Sequence, residues 1–213
     1  QFVVIGGSVV TSLILSIIWP FAQGALNNFG QWIATSQDTA PILAPFVYGA
    51  GERLLLPFGL HHMLTIPMNY TELGGTYEVL TGANAGQIVA GQESLWLAWV
   101  TDLNNLKAAG DMEAYNTLLN SVTPARFKAG QVILSTASLM GAAYAMFRNV
   151  DNDKKSAYKS MFVSAALATF LTGVSEPLEF MFMFISPVLY LCYAILAGAA
   201  FALADLINLR IHS

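Results

Sequence analysis

The sequence predicts an all-α integral membrane protein built of transmembrane helices, two re-entrant helical hairpins and amphipathic surface helices. Three observations predict it. Only 10% of the 213 residues are charged and 55% are apolar, where a soluble domain carries about 25% charge. Stretches with no charge at all recur, each near the length that crosses a bilayer at about 1.5 Å per residue. Two further apolar segments are interrupted by glycine, proline and isolated charges, the pattern of broken helices around a transport site.

The composition also excludes functions. A formal charge of −4 is far from that of a nucleic-acid binder. The single cysteine, Cys192, rules out an internal disulfide framework and a cysteine-based metal cluster, and in its apolar run it reads as a packed or lipid-facing thiol. The sequence contains no nucleotide loop, zinc motif or Gly-x-Ser-x-Gly elbow, so neither a metal nor a cofactor is expected.

Residues 2–19 form the first expected span. Gly6, Gly7, Ser8, Thr11, Ser12 and Ser16 give it a small-residue face suited to close packing against other helices. Pro20 marks its expected exit, with Trp19 and Trp32 at the interface, and residues 22–40 follow as a polar connection or a short surface helix. There is no initiator methionine and no basic flank, so the start is not a secretion signal. Together with the abrupt end INLRIHS, this suggests a fragment.

Residues 41–67 are apolar, yet hold Glu52, Arg53, His61 and His62 and are broken by Gly49, Gly51, Pro57 and Gly59. They read as two half-helices meeting near GERLLLPFG. At least one of Glu52 and Arg53 is expected in a structural ion pair. Both histidines are candidate ligand contacts, but neighbours on a helix point apart, so one of them is expected to be structural.

Residues 68–129 are a polar excursion. TYEVLTGANAGQ is turn-rich, and ESLWLAWVTDLNNLKAAG and DMEAYNTLLNSV read as amphipathic surface helices. Trp96, Leu97 and Trp99 suit an interfacial anchor, with a sugar-stacking platform as the alternative. Residues 130–147 span again. The basic cluster Arg148, Lys154, Lys155 and Lys159 places the next loop in the cytoplasm.

From Ser160 to Ala204 the only charges are Glu176 and Glu179. A carboxylate in such surroundings needs partners or a proton. Gly173 permits unusual backbone angles, and Pro177 both lacks a donor and pushes Glu176 from helical geometry. Residues 173–177 therefore read as the second break, with Glu176 at its tip as a ligand contact, as a cap on the following arm, or as both. Glu179, on the same face, is either a second ligand contact or a structural hydrogen-bond partner. A final span covers 189–209. If the two hairpins open to opposite sides, the arrangement is an inverted pair.

GERLLLPFGLHHM (51–63) and LTGVSEPLEFMFMFISPVLY (171–190) resemble the two signature regions of the glucose-superfamily IIC permeases of the bacterial phosphoenolpyruvate-dependent sugar phosphotransferase system. RFKAGQ (126–131), GAAYAMFRNVD and KSMFVSAALATFLTGVSEPLEFMF resemble most closely its maltose-type branch. Glucose and N-acetylglucosamine permeases share the GLHH and EP elements. The resemblance implies a multi-pass protein of the bacterial inner membrane that imports maltose or a related glucoside. A glucose- or N-acetylglucosamine-type permease and an ion-coupled secondary sugar transporter are the alternatives. It further implies that residues 1–213 are the C-terminal, sugar-binding part of a longer IIC domain, which dimerises through N-terminal helices. The phosphoryl group would come from a cysteine-phosphorylated IIB partner absent from this chain. The family's essential Glu falls on Glu176, its essential His on His61 and its motif Arg on Arg53. A carboxylate beside the reacting hydroxyl is also placed to act as a general base, which gives Glu176 a second expected role.

Overall fold

The computed structural model describes residues 2–36, 42–121, 127, 129–207 and 209. Pro41, Arg126, Lys128 and the end of INLRIHS, all used in the sequence reading, lie outside the described residues. Ten α-helices, two short 3-10 turns, one π-helical turn and one two-stranded hairpin make up the regular structure among those described. Three helical stretches are long and apolar enough to cross a membrane: Phe2–Ile33, Ala129–Arg148 and Pro187–Leu206.

Helix α1 (Phe2–Thr35) runs straight through Pro20, so the expected exit there is corrected. A proline removes one helical hydrogen bond, but Ala22, Gln23, Ala25 and Leu26 beyond it are good helix formers and carry the helix on. The expected small-residue contact face has no partner among the described residues, and nothing lies within 4 Å of a Cβ built at Gly6 or Gly7. Only the C-terminal turns of α1 pack inward, where Ile33 is buried and Phe29 lies over Gly51.

Both breaks are present. Helix α2 (Leu43–Leu55) gives way to a tight turn over Leu56–Phe58, with Gly59 at φ +69°, before α3 (His62–Tyr70). Pro57 fits that turn because its missing N–H would have no partner there. Helix α8 (Lys155–Thr172) stops at Gly173, at φ +74°, and α9 (Glu176–Met183) starts with Pro177 in its first turn. The positive φ at both stops is a conformation that favours glycine.

The excursion is not purely helical. Strands β1 (Thr76–Glu78) and β2 (Ile88–Ala90) pair antiparallel, Tyr77 opposite Val89, and α4 (Gln92–Ala109) and α5 (Met112–Ser121) close over them. Tyr77, Leu95, Trp99, Leu103 and Leu118 form a small core of their own. Trp99 is 4% exposed, so its expected role as interfacial anchor is corrected: it fills this core, while Leu97 faces outward. Asp102 ties down the loop after β1. It accepts from the Leu80 and Thr81 amides at 2.7 and 2.9 Å and from the Tyr77 hydroxyl at 2.6 Å. Burial alone would raise the Asp102 carboxyl's pKa. The bonds from Leu80, Thr81 and Tyr77 outweigh it and hold the pKa below the usual carboxylate range.

The second span comprises α6 (Ala129–Ile133), a π-helical turn over Leu134–Ser138 and α7 (Leu139–Arg148). Helix α10 (Pro187–Leu206) is the third. Helix α10 lies against α2 and α6 because small residues let their backbones approach. The fully buried Phe201 ring is wedged between Gly49 and Gly130, where any added Cβ would collide with it. Gly198 sits against the Phe46 carbonyl, 2.6 Å from where a Cβ would be. Cys192 is exposed on α10, in an apolar groove facing α6 and α7.

Candidate functional site

This packing brings the two breaks together. The last turn of α2 carries Glu52 and Arg53 toward the loop between α8 and α9. The Arg53 guanidinium, which is only 2% exposed, donates through Nη1 to Glu179 Oε1 at 2.6 Å and to Ser175 Oγ at 2.9 Å. Its Nη2 donates to Gln131 Oε1 and lies 3.7 Å from Glu52 Oε1. Tyr193 of α10 donates to the same Glu179 Oε1 at 2.7 Å, and Tyr190 donates to the Arg53 carbonyl at 2.6 Å. A buried guanidinium is tolerable only with its charge met and most of its donors used; both Nη atoms are paired, while Nε has no partner among the described residues. Here three helices and the second break supply the partners. Arg53 thereby fixes the loop whose next residue is Glu176.

In front of this cluster lies a cavity of about 570 Å³, inside the usual range of about 300–1,000 Å³ for small-molecule sites. The first break contributes Glu52, Arg53, His61 and His62. Helix α3 contributes Thr65 and Asn69, α6 contributes Gln131, and the second break contributes residues 172–176. His61 Nε2 stands 3.8 Å from Glu176 Oε1, too long for a direct hydrogen bond. Glu176 keeps 33% of its side chain exposed, whereas His61 keeps 13%. The buried His61 Nδ1 meets no hydrogen-bond partner among the described residues.

The five residues singled out in the sequence therefore separate. Glu176 and His61 face the cavity from opposite breaks. Arg53 contributes to its floor while committed to protein partners. Glu179 is fully buried and does not line it. The expectation that only one histidine faces the site is corrected, because both His61 and His62 line it. Their rings lie 4.0 Å apart at 37°. His61 immediately precedes α3 with helical backbone angles, and both rings line the one opening. Sequence reasoning missed Gln131, Tyr190, Tyr193 and Asn69 as participants. A lone glutamine at the head of an uncharged span was the available signal for Gln131.

At its C-terminal end the cavity is braced by the β1–α5 unit. Gly74 lies against the Met68 carbonyl and Gly91 against the Asn69 carbonyl, each too close to admit a Cβ. The chemistry on offer is a partly dehydrated carboxylate facing an imidazole, with amide and hydroxyl groups further along the wall. That set suits a neutral, hydroxyl-rich ligand. Among the described residues no group of three or more His, Cys, Asp or Glu converges as a metal site would require.

Known proteins resemble this chain over nearly its whole length. The family "Phosphotransferase system, EIIC" matches residues 1–198. The glucose-specific EIICBA component of Streptococcus pneumoniae serotype 4 is 63% identical over 212 residues, 100% of this chain and 29% of its own length. The maltose-specific EIICB component of Escherichia coli K12 is 33% identical over 214 residues, 99% of this chain and 37% of its own. The glucoside-specific EIICBA component of Staphylococcus carnosus is 32% identical over 204 residues, 96% of this chain and 26% of its own. The expected leaning to the maltose-type branch is thus corrected, since the glucose-specific relative is nearly twice as similar. The chain spans between 26% and 37% of the length of these curated relatives.

Proposed function

The chain belongs to the EIIC family of the phosphotransferase system, and from that premise we propose that it forms the sugar-binding part of a glucose-type permease. The observation that carries this reading is the facing of His61 and Glu176, from two separate helix breaks, across one cavity. A single hydroxyl oxygen about 2.8 Å from each group bridges a gap of this width. Glu176 accepts from the sugar, and each such charge-assisted bond contributes about 1.5–3 kcal/mol. His61 orients the same hydroxyl. Arg53 and Glu179 act through position, holding Ser175 and hence Glu176 at the cavity rim. Glucose rather than maltose is the substrate class that the 63% identical relative supports.

The partner in this reading is a IIB domain carrying a phosphocysteine, as the three-component build of the EIICBA relatives suggests. The sugar hydroxyl oxygen attacks phosphorus, the O–P bond forms as the P–S bond breaks, and the cysteine leaves as thiolate. Glu176 takes the hydroxyl proton as general base, a role worth about 10²–10⁴-fold in rate. Both broken elements enter and leave the bilayer on one side each, from opposite leaflets, in a bacterial inner membrane. Dimerisation through helices N-terminal to this chain completes the permease.

The test is phosphorylation of glucose by the full-length protein with phosphorylated IIB, beside Glu176→Gln. The amide keeps the size and an acceptor but cannot take the proton. The expected result is detectable glucose binding with phosphorylation slowed by about 10²-fold or more. An unchanged rate would remove the general-base role.

A further inference from the structure

We propose that Asn69, with Thr65 on the same face of α3, forms a second polar subsite that reads the end of the sugar ring remote from Glu176 and so sets which hexose the site accepts. The inference rests on the sugar-binding reading above. His62, Thr65 and Asn69 fall at the three- and four-residue spacing that lines up side chains along one face of a helix, and all three line the cavity. The eight residues from His61 to Asn69 give about 12 Å of helix rise. One pyranose ring with a hydrogen bond at either end fills that kind of length.

The Asn69 side-chain oxygen is uncommitted. Oδ1 is buried and has no hydrogen-bond partner among the described residues, a state that costs free energy unless a ligand relieves it. A side-chain amide offers both a donor and an acceptor, which matches a hydroxyl pair on adjacent ring carbons better than a carboxylate would. The backbone under it is fixed, because Gly91 of the β1–α5 unit packs directly on the Asn69 carbonyl. A site whose polar groups are built to meet particular hydroxyls rejects analogues that leave them unpaired. Glu176 and His61 both address one hydroxyl, so discrimination at the other end of the ring needs a group such as this one.

The experiment is calorimetric binding of glucose and of the monodeoxyglucoses to the full-length permease in detergent, beside Asn69→Ala and Thr65→Val. Asn69→Ala is expected to weaken glucose about tenfold. One deoxyglucose, already weak with the parent, is expected to bind parent and variant alike, which identifies the hydroxyl that Asn69 meets. Unchanged glucose affinity in Asn69→Ala, or an equal loss for every analogue, would overturn the proposal. The thermal midpoint of each variant checks that it is folded, and if Asn69→Ala is not, Thr65→Val carries the same comparison. A parent that binds glucose and loses it in Glu176→Ala, with no effect at Asn69 or Thr65, sinks this inference alone. A parent that binds no hexose sinks the sugar-binding reading with it.

Discussion

Arg53 and Glu179 stand 126 positions apart in the chain and 2.6 Å apart in space, neither side chain more than 2% exposed. This contact joins the two helix breaks, and through Ser175 it sets the position of Glu176. Removing one member of a buried ion pair strands the other, at a cost of about 3–5 kcal/mol. Glu179→Ala and Arg53→Ala should therefore each lower the thermal midpoint of the detergent-solubilised protein, with no sugar present. A midpoint equal to the parent's in both would mean that the pair holds nothing together.

Phe201 tests how closely the helices pack. Its ring occupies the space left by Gly49 and Gly130. Gly49→Ala should destabilise by about 1–3 kcal/mol through overpacking. Phe201→Leu should cost stability through lost volume. Together they should cost less than the sum of the two, because each relieves the other. Strict additivity in a double-mutant cycle would contradict the close approach of α2 and α10.

Asp102 gives the β1–α5 unit an acid dependence. Its folded pKa is held below the unfolded value of about 3.9. The stabilisation is therefore fully present above about pH 4 and is lost as pH falls through the folded value. Hydrogen exchange at the Leu80 and Thr81 amides should accelerate over that acid window, beyond the intrinsic trend. In Asp102→Asn, protection should be lower at neutral pH and the acid step should vanish. An acid step of the same size in Asp102→Asn would assign it to another carboxylate.

The sequence made the breaks legible because their signals are local. Gly59, Gly173, Pro57 and Pro177 act on their own backbone, and Glu176 stands out as a charge in an apolar run. The partners of Arg53 were not legible: Gln131, Ser175 and Tyr190 reach it only once α2, α6 and α10 pack, and nothing near residue 53 encodes that. Pro20 misled because a proline marks a helix end only as a local tendency, and α1 continues through it to Thr35. The β1–β2 hairpin escaped because three-residue strands leave almost no alternating pattern between their turn residues. The histidine pair was misjudged because adjacent rings at the start of α3 both reach one cavity of about 570 Å³.

A sugar held between His61 and Glu176 should show in calorimetric binding of glucose and maltose to the detergent-solubilised full-length protein, beside Glu176→Ala and His61→Ala. The expected result is glucose binding to the parent, weaker or no binding of maltose, and loss of glucose binding in both variants while their thermal midpoints stay near the parent's. Glucose bound equally by the parent and both variants would place the site elsewhere.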